Sequence, residues 1–151
     1  MASLAALQEA GQSVWLDYLS RPFVRDGGLQ GYIDQGVRGV TANPTIIGKA
    51  VTGSADYDEE IRRLARERRS AREIYETIVG DDIRLALARF RPVYEALHGA
   101  DGFVSLEVEP ALAYDTTGTI ARVEYLNRLL GQPNAMIKEI GERRVGKECR
   151  L

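Results

Sequence analysis

Apolar positions along the chain switch repeatedly between two periods. A period of two marks four short runs: SVWLD (13–17), VRGVTAN (37–43), GFVSLEVE (102–109) and PNAMIK (133–138). These read as strands. Between them the spacing lengthens to three and four. RPFVRDGGLQGYIDQG (21–36) carries a helix around Leu29, Tyr32 and Ile33, closed by Gly36. Asn43-Pro44 is a turn dipeptide that ends the second strand, and TIIGKAVTG (45–53) reads as a loop or short helix. Ser54 or Asp56 caps a helix over 55–69, with Ile61 and Leu64 on its inner side. Residues 71–79 predict a further helix, and Gly80-Asp81-Asp82 predict a break and a new cap. Ile83, Leu87, Phe90, Tyr94 and Leu97 then keep helical spacing as far as Gly99. The last predicted helix runs from Thr119 to Leu130, with Ile120, Val123, Leu126 and Leu129 inward, stopped by Gly131 and Pro133.

Strand–helix alternation of this kind argues for parallel β/α units. The long interval between Asn43 and Gly102 places extra helices within one crossover. Alternation along each strand separates two faces. Val14 and Leu16, Val40 and Ala42, Val104, Leu106 and Val108, and Ala135 and Ile137 form aliphatic faces suited to packing under helices. The opposite faces become polar at the strand ends and bring Asp17, Thr41, Asn43, Glu107, Glu109 and Lys138 to one side. A (β/α)8 TIM barrel has this design, with helices outside and reactive groups inside at the C-terminal ends of the strands. An open doubly wound sheet usually makes both faces of its central strands apolar. The barrel is therefore the expected fold.

Composition narrows the function. The chain has 151 residues, a formal net charge of −2 and 44% apolar residues, enough for one domain with a core. Near-balanced charge gives no sign of nucleic acid as a partner, and no run approaches a membrane span. One cysteine, Cys149, excludes a disulfide framework and suits a cytoplasmic location. The N-terminal MASLAALQEAGQS lacks the basic and apolar regions of a signal peptide. A lone histidine, His98, gives no metal site and reads as a helix end. Lys49 in IIGKA lacks the spacing of a phosphate-binding loop, and GGLQG (27–31) lacks that of a dinucleotide fingerprint.

The candidate chemistry centres on Lys138. A lysine inside a low-dielectric barrel loses part of the stability of its charged form. The free amine attacks carbonyls to give a Schiff base, whose iminium withdraws electrons from a neighbouring carbon–carbon bond. Two carboxylates and an amide beside it meet the need for acid–base help. The bland readings are a solvent lysine, a solvent or helix-capping Asp17, and a plain turn residue at Asn43.

WLDYLSR, GVTANPTII, VSLEVEPALAYDT and PNAMIK, in this order and spacing, resemble successive motifs of transaldolases over roughly residues 11–138. WLDYLSR with RPVYEALHGADGFVSLEVEP is similar to the bacterial branch that includes fusions to a phosphoglucose isomerase. The resemblance implies a class I barrel enzyme without metal or cofactor. It would move a dihydroxyacetone unit from sedoheptulose 7-phosphate to glyceraldehyde 3-phosphate in the pentose phosphate pathway. By motif position Lys138 is the Schiff-base lysine and Asp17 the acid/base for carbon–carbon cleavage. Glu107 acts on the catalytic water, and Asn43, with Thr41 nearby, binds substrate. A related fructose 6-phosphate aldolase is the second enzyme reading, and a non-catalytic fragment that self-associates is the third.

The chain departs from the family after Lys138. Where the family continues MIKVPAT, this sequence reads MIKEIGERRVGKECRL. Residues 1–138 are thus expected to form about the first four β/α units. Residues 139–151 are expected to be foreign to the family, as a truncation or a fusion scar. A half barrel has unpaired strand edges. Association through them, as a homo-oligomer or with a complementing half, is expected. Phosphate-binding residues are expected beyond this chain.

Overall fold

A computed structural model describes residues 4–139. The elements are α1 (Leu4–Glu9), β1 (Trp15–Leu16), α2 (Arg21–Arg25), α3 (Gly28–Asp34), β2 (Gly39–Ala42) and α4 (Pro44–Gly53). They continue with α5 (Asp58–Arg66), α6 (Ala71–Ala96), β3 (Phe103–Glu107), α7 (Thr116–Leu130) and β4 (Ala135–Lys138). Short 3-10 turns at Ala55–Tyr57 and Pro110–Leu112 precede α5 and α7. The expected tail, beyond Glu139, lies outside the described residues, as does Cys149.

The four strands form one parallel sheet in the order β1-β2-β3-β4. Sequential order without reversal is the winding of a β/α barrel, whereas a doubly wound sheet reverses at its switch point. The aliphatic faces of β2 and β3 do what their alternation predicted, while Leu16, Ala135 and Ile137 on the outer strands are only partly buried against the same core. Val40, Ala42, Val104, Leu106 and Val108 are buried in one core with Val79, Ile83, Leu87 and Phe90 of α6 and Leu126 and Leu130 of α7. Helices and sheet therefore share a single apolar layer. The other face of the sheet carries Thr41, Ser105, Glu107 and Lys138.

Two sequence expectations fail in the helices, and one helix goes unforeseen. The expected helix around Leu29, Tyr32 and Ile33 forms as α3, but α2 precedes it, because Ser20 caps α2 and Gly27, at φ 86°, turns the chain before α3. Gly80-Asp81-Asp82 does not break the chain: α6 is a continuous helix of 26 residues. Propensity loses here to packing. Gly80 is buried against Leu129 of α7, and Asp82 is buried with partners of its own. The α6 cap is instead Ser70–Glu73, a reciprocal capping box. Ile120, expected inward, is 56% exposed, and Thr119 and Leu126 take the buried stripe. The helix begins at Thr116 under the cap of Asp115, which turns Ile120 outward.

One buried side chain sets the start of β4. Asn134 donates through Nδ2 to the Leu87 carbonyl (3.0 Å) and the Gly102 carbonyl (3.1 Å), and its backbone carbonyl accepts from the Val104 amide (3.0 Å). It ties α6, the entry to β3 and the entry to β4 together, and so fixes the register that delivers Lys138.

Candidate active site

The register arranges the inner face in rows. Trp15, Gly39 and Phe103 form the lowest row. Thr41, Ser105 and Met136 form the next; Asp17 lies one residue past the paired Leu16, at a bend beyond the end of β1. Glu107 pairs with Lys138 in the top row, and the same register continues to Asn43. Polarity thus rises along the strands toward their C-terminal ends.

Lys138 and Glu107 meet. The Lys138 ammonium lies 2.8 Å from Glu107 Oε2, with the lysine side chain 44% exposed and the glutamate 7%. With the carboxylate buried and the ammonium half exposed, solvent screens only one member of the pair. Its interest is positional. The amine and a carboxylate are within proton-transfer reach on neighbouring strands. Thr41 offers a buried hydroxyl that has no hydrogen-bond partner among the described residues. Ser105 is buried beside it.

Asp17 and Asn43 are placed differently. Asp17 is exposed just past β1 and makes no hydrogen bond or ion pair among the described residues. It is not the N-cap of the following helix, a role taken by Ser20. Asn43 caps α4: its Oδ1 accepts from the Ile46 amide at 2.9 Å. The carbonyl end is therefore committed to the helix, while its amide nitrogen remains for a ligand. Glu109, two residues beyond Glu107, turns away to Arg122 (2.9 Å) and Arg72 (3.3 Å).

Two polar clusters escaped the sequence reading. In the first, Arg122 bridges Glu76 (3.0 Å) and Glu109 (2.9 Å), and Tyr125 donates to Glu76 (3.0 Å). Burial pushes the Glu76 carboxyl up, but hydrogen bonds from Arg72 and Tyr125 and the charge of Arg122 outweigh it, so the net direction is down. A cavity of about 30 Å³ beside this cluster, lined by Pro44, Val79, Leu106, Glu107 and Arg122, has room for a water or two and not for a sugar.

The second cluster lies behind β1. Arg21 pairs with Asp82 (2.6 Å) and Glu60 (2.5 Å), and Tyr57 donates to Asp82 at 2.8 Å. Burial alone lowers the Arg21 pKa, yet the hydrogen bonds and charges of Asp82 and Glu60 together raise it. Burial pushes the Asp82 carboxyl up, and its partners offset this only in part. The geometry favours the ions, because both Asp82 oxygens accept short hydrogen bonds and a protonated carboxyl would set a donor against a donor. A signal for this cluster was present in the sequence: Asp82 falls on the apolar stripe of Val79, Ile83 and Ala86, where a carboxylate needs a partner.

The family model for transaldolase/fructose-6-phosphate aldolase matches residues 14–139. A transaldolase of Thermobifida fusca is 48% identical over 136 residues, covering 89% of this chain and 37% of the relative. A transaldolase of Saccharopolyspora erythraea is 46% identical, covering 91% of this chain and 37% of the relative. One from Trichodesmium erythraeum is 43% identical, covering 89% and 36%. The chain thus spans a little over a third of the length of the curated relatives it matches.

Proposed function

The chain belongs to the transaldolase/fructose-6-phosphate aldolase family, and we propose that its inner sheet face carries transaldolase chemistry through a Schiff base on Lys138. The observation that supports this most is the Lys138–Glu107 contact of 2.8 Å on adjacent strands at their C-terminal ends. The ammonium passes a proton to a base and attacks the ketose carbonyl carbon. Glu107, through a water, helps the carbinolamine lose its hydroxyl as water. The resulting iminium accepts the electron pair of the adjacent carbon–carbon bond. Asp17 removes the proton from the hydroxyl on the departing carbon, and an aldose phosphate leaves. The dihydroxyacetone enamine on Lys138 then attacks an acceptor aldose, Asp17 returns the proton, and water hydrolyses the new iminium. Asn43, through its amide nitrogen, and Thr41, through its free hydroxyl, hydrogen-bond the substrate.

The substrates in this reading are sedoheptulose 7-phosphate and glyceraldehyde 3-phosphate, exchanged for erythrose 4-phosphate and fructose 6-phosphate, as in a cytoplasmic pentose phosphate pathway. The test is to incubate the chain with fructose 6-phosphate, reduce with borohydride and map the adduct by mass spectrometry. An adduct at Lys138 that Lys138→Met abolishes is expected. No adduct, beside a full-length transaldolase that labels under the same conditions, refutes Schiff-base chemistry for this chain.

A further inference from the structure

We propose that Arg21, Tyr57 and Asp82 form a positioning device that fixes the segment 17–20, and with it the Asp17 carboxylate, over the inner face of the sheet. The inference rests on the reading of Asp17 as the acid/base of carbon–carbon cleavage. Asp17 has no hydrogen-bond or ion-pair partner among the described residues, so its place is set by the backbone on either side. On one side stands β1, only two residues long. On the other stands Arg21, the first residue of α2.

Arg21 is gripped twice. Its backbone N–H donates to Tyr57 Oη at 2.8 Å, and Tyr57 Oη donates to Asp82 Oδ2 at 2.8 Å. Asp82 Oδ1 then accepts from Arg21 Nε at 2.6 Å, which closes a ring of hydrogen bonds. Glu60 holds a second guanidinium nitrogen. The Arg21 ring contact to Tyr57, at 4.7 Å, adds a cation–π interaction. The segment between is tied as well: Leu19 is 1% exposed, Tyr18 packs edge-on to Phe23 at 5.1 Å, and Ser20 caps α2.

Stability alone is a weak reason for this arrangement. The Arg21 and Asp82 side chains are 5% and 4% exposed, and apolar replacements of such pairs are often neutral or better. A closed ring of buried hydrogen bonds gives instead a single geometry, although Arg21 Nη2 is left without a partner among the described residues. Here that geometry is imposed on the backbone four residues from Asp17.

Tyr57→Phe is the informative variant, since it removes one hydroxyl and keeps the ring. Three measurements are made on the full chain. The first is borohydride trapping with dihydroxyacetone, which forms the imine without breaking a carbon–carbon bond. The second is single-turnover release of glyceraldehyde 3-phosphate from fructose 6-phosphate. The third is amide hydrogen exchange. Tyr57→Phe should leave trapping within about twofold, slow release by about tenfold, and speed exchange at residues 17–21 by about tenfold, with β3 and β4 unchanged. Equal loss in both reactions, or unchanged protection at 17–21, overturns the proposal. Asp17→Asn is the control. If it does not slow release selectively, the assignment of Asp17 falls while the exchange result still decides the anchor. A parent chain that releases no product leaves that same decision to exchange.

Discussion

Replacing Gly39 with alanine tests the row arrangement from its lowest member. Gly39 pairs with Trp15 across β1 and β2. A Cβ built on Gly39 would stand 2.8 Å from Trp15 Cζ2 and closer still to Cδ2 and Cε2. Carbon atoms prefer about 3.5–4.0 Å, so the indole must retreat by roughly an ångström. The ring is large and held by a hydrogen bond from Nε1 to Ser13 Oγ (2.9 Å), so it cannot yield like the tip of a flexible chain. Overpacking of this kind costs about 1–3 kcal/mol. Stiffening of the unfolded chain returns about 0.4–1 kcal/mol. The net expectation is a loss of about 1–2 kcal/mol. With a urea slope of about 1.5 kcal/mol per molar, the midpoint should fall by about 1 M. Far-UV circular dichroism follows the unfolding. Because Trp15 is the only tryptophan, native emission reports on the same ring. Trp15→Leu completes a double-mutant cycle. If the ring covers Gly39, the alanine should be tolerated in the leucine background, with a coupling of about 1 kcal/mol. Additivity within about 0.3–0.5 kcal/mol, with unchanged emission from Gly39→Ala, would refute the contact.

Other outcomes follow from single contacts. Glu76 has a folded pKa below its unfolded value, so its contribution is present above about pH 4.3 and is lost as pH falls through the folded value. Glu76→Gln should therefore lower stability by about 1–2 kcal/mol at neutral pH, with the gap in melting temperature closing below about pH 4. Asn43→Ala should cost about 1 kcal/mol through the lost α4 cap, and Asn43→Ser should restore stability by chemical denaturation. Under the proposed substrate role, Asn43→Ser should not restore trapping yield. Ile120→Lys should change stability by less than about 0.5 kcal/mol, whereas Leu126→Ala should cost about 2–5 kcal/mol in the same titration.

Strands were legible because alternation is a local signal tied to a two-sided surface. Val104, Leu106 and Val108 had to bury one face, and Glu107 then had to emerge on the other. The family likeness was legible too, since four motifs lie on the strands and the loops that follow them. Helix continuity was not. Gly80-Asp81-Asp82 carries a breaker's local chemistry, and the information that keeps it helical sits far away, in Leu129, Arg21 and Tyr57. Asn43 was legible as a turn residue and as a candidate ligand, but its cap to Ile46 depends on how α4 starts. The partner of Lys138 depended on register, which alternation does not give.

The exposure of the Lys138–Glu107 pair says which partner moves. Glu107 is 7% exposed on a strand flanked on both sides, so its carboxylate is held by its surroundings. Lys138 is 44% exposed on β4, and four methylenes separate its nitrogen from the backbone. Under the proposed mechanism, a pair with one held and one longer-reaching member suits covalent catalysis better than two rigid groups. Lys138 would leave the carboxylate, reach a carbonyl carbon, and carry the bound fragment through cleavage and transfer. Glu107 would stay where each new iminium forms. Exchanging the two residues, as Glu107→Lys with Lys138→Glu, keeps the charges and the contact but puts the amine on the buried strand. Under the proposed mechanism that chain should trap no substrate. Trapping at the relocated lysine would show that proximity of amine and carboxylate suffices and that the asymmetry between them is incidental.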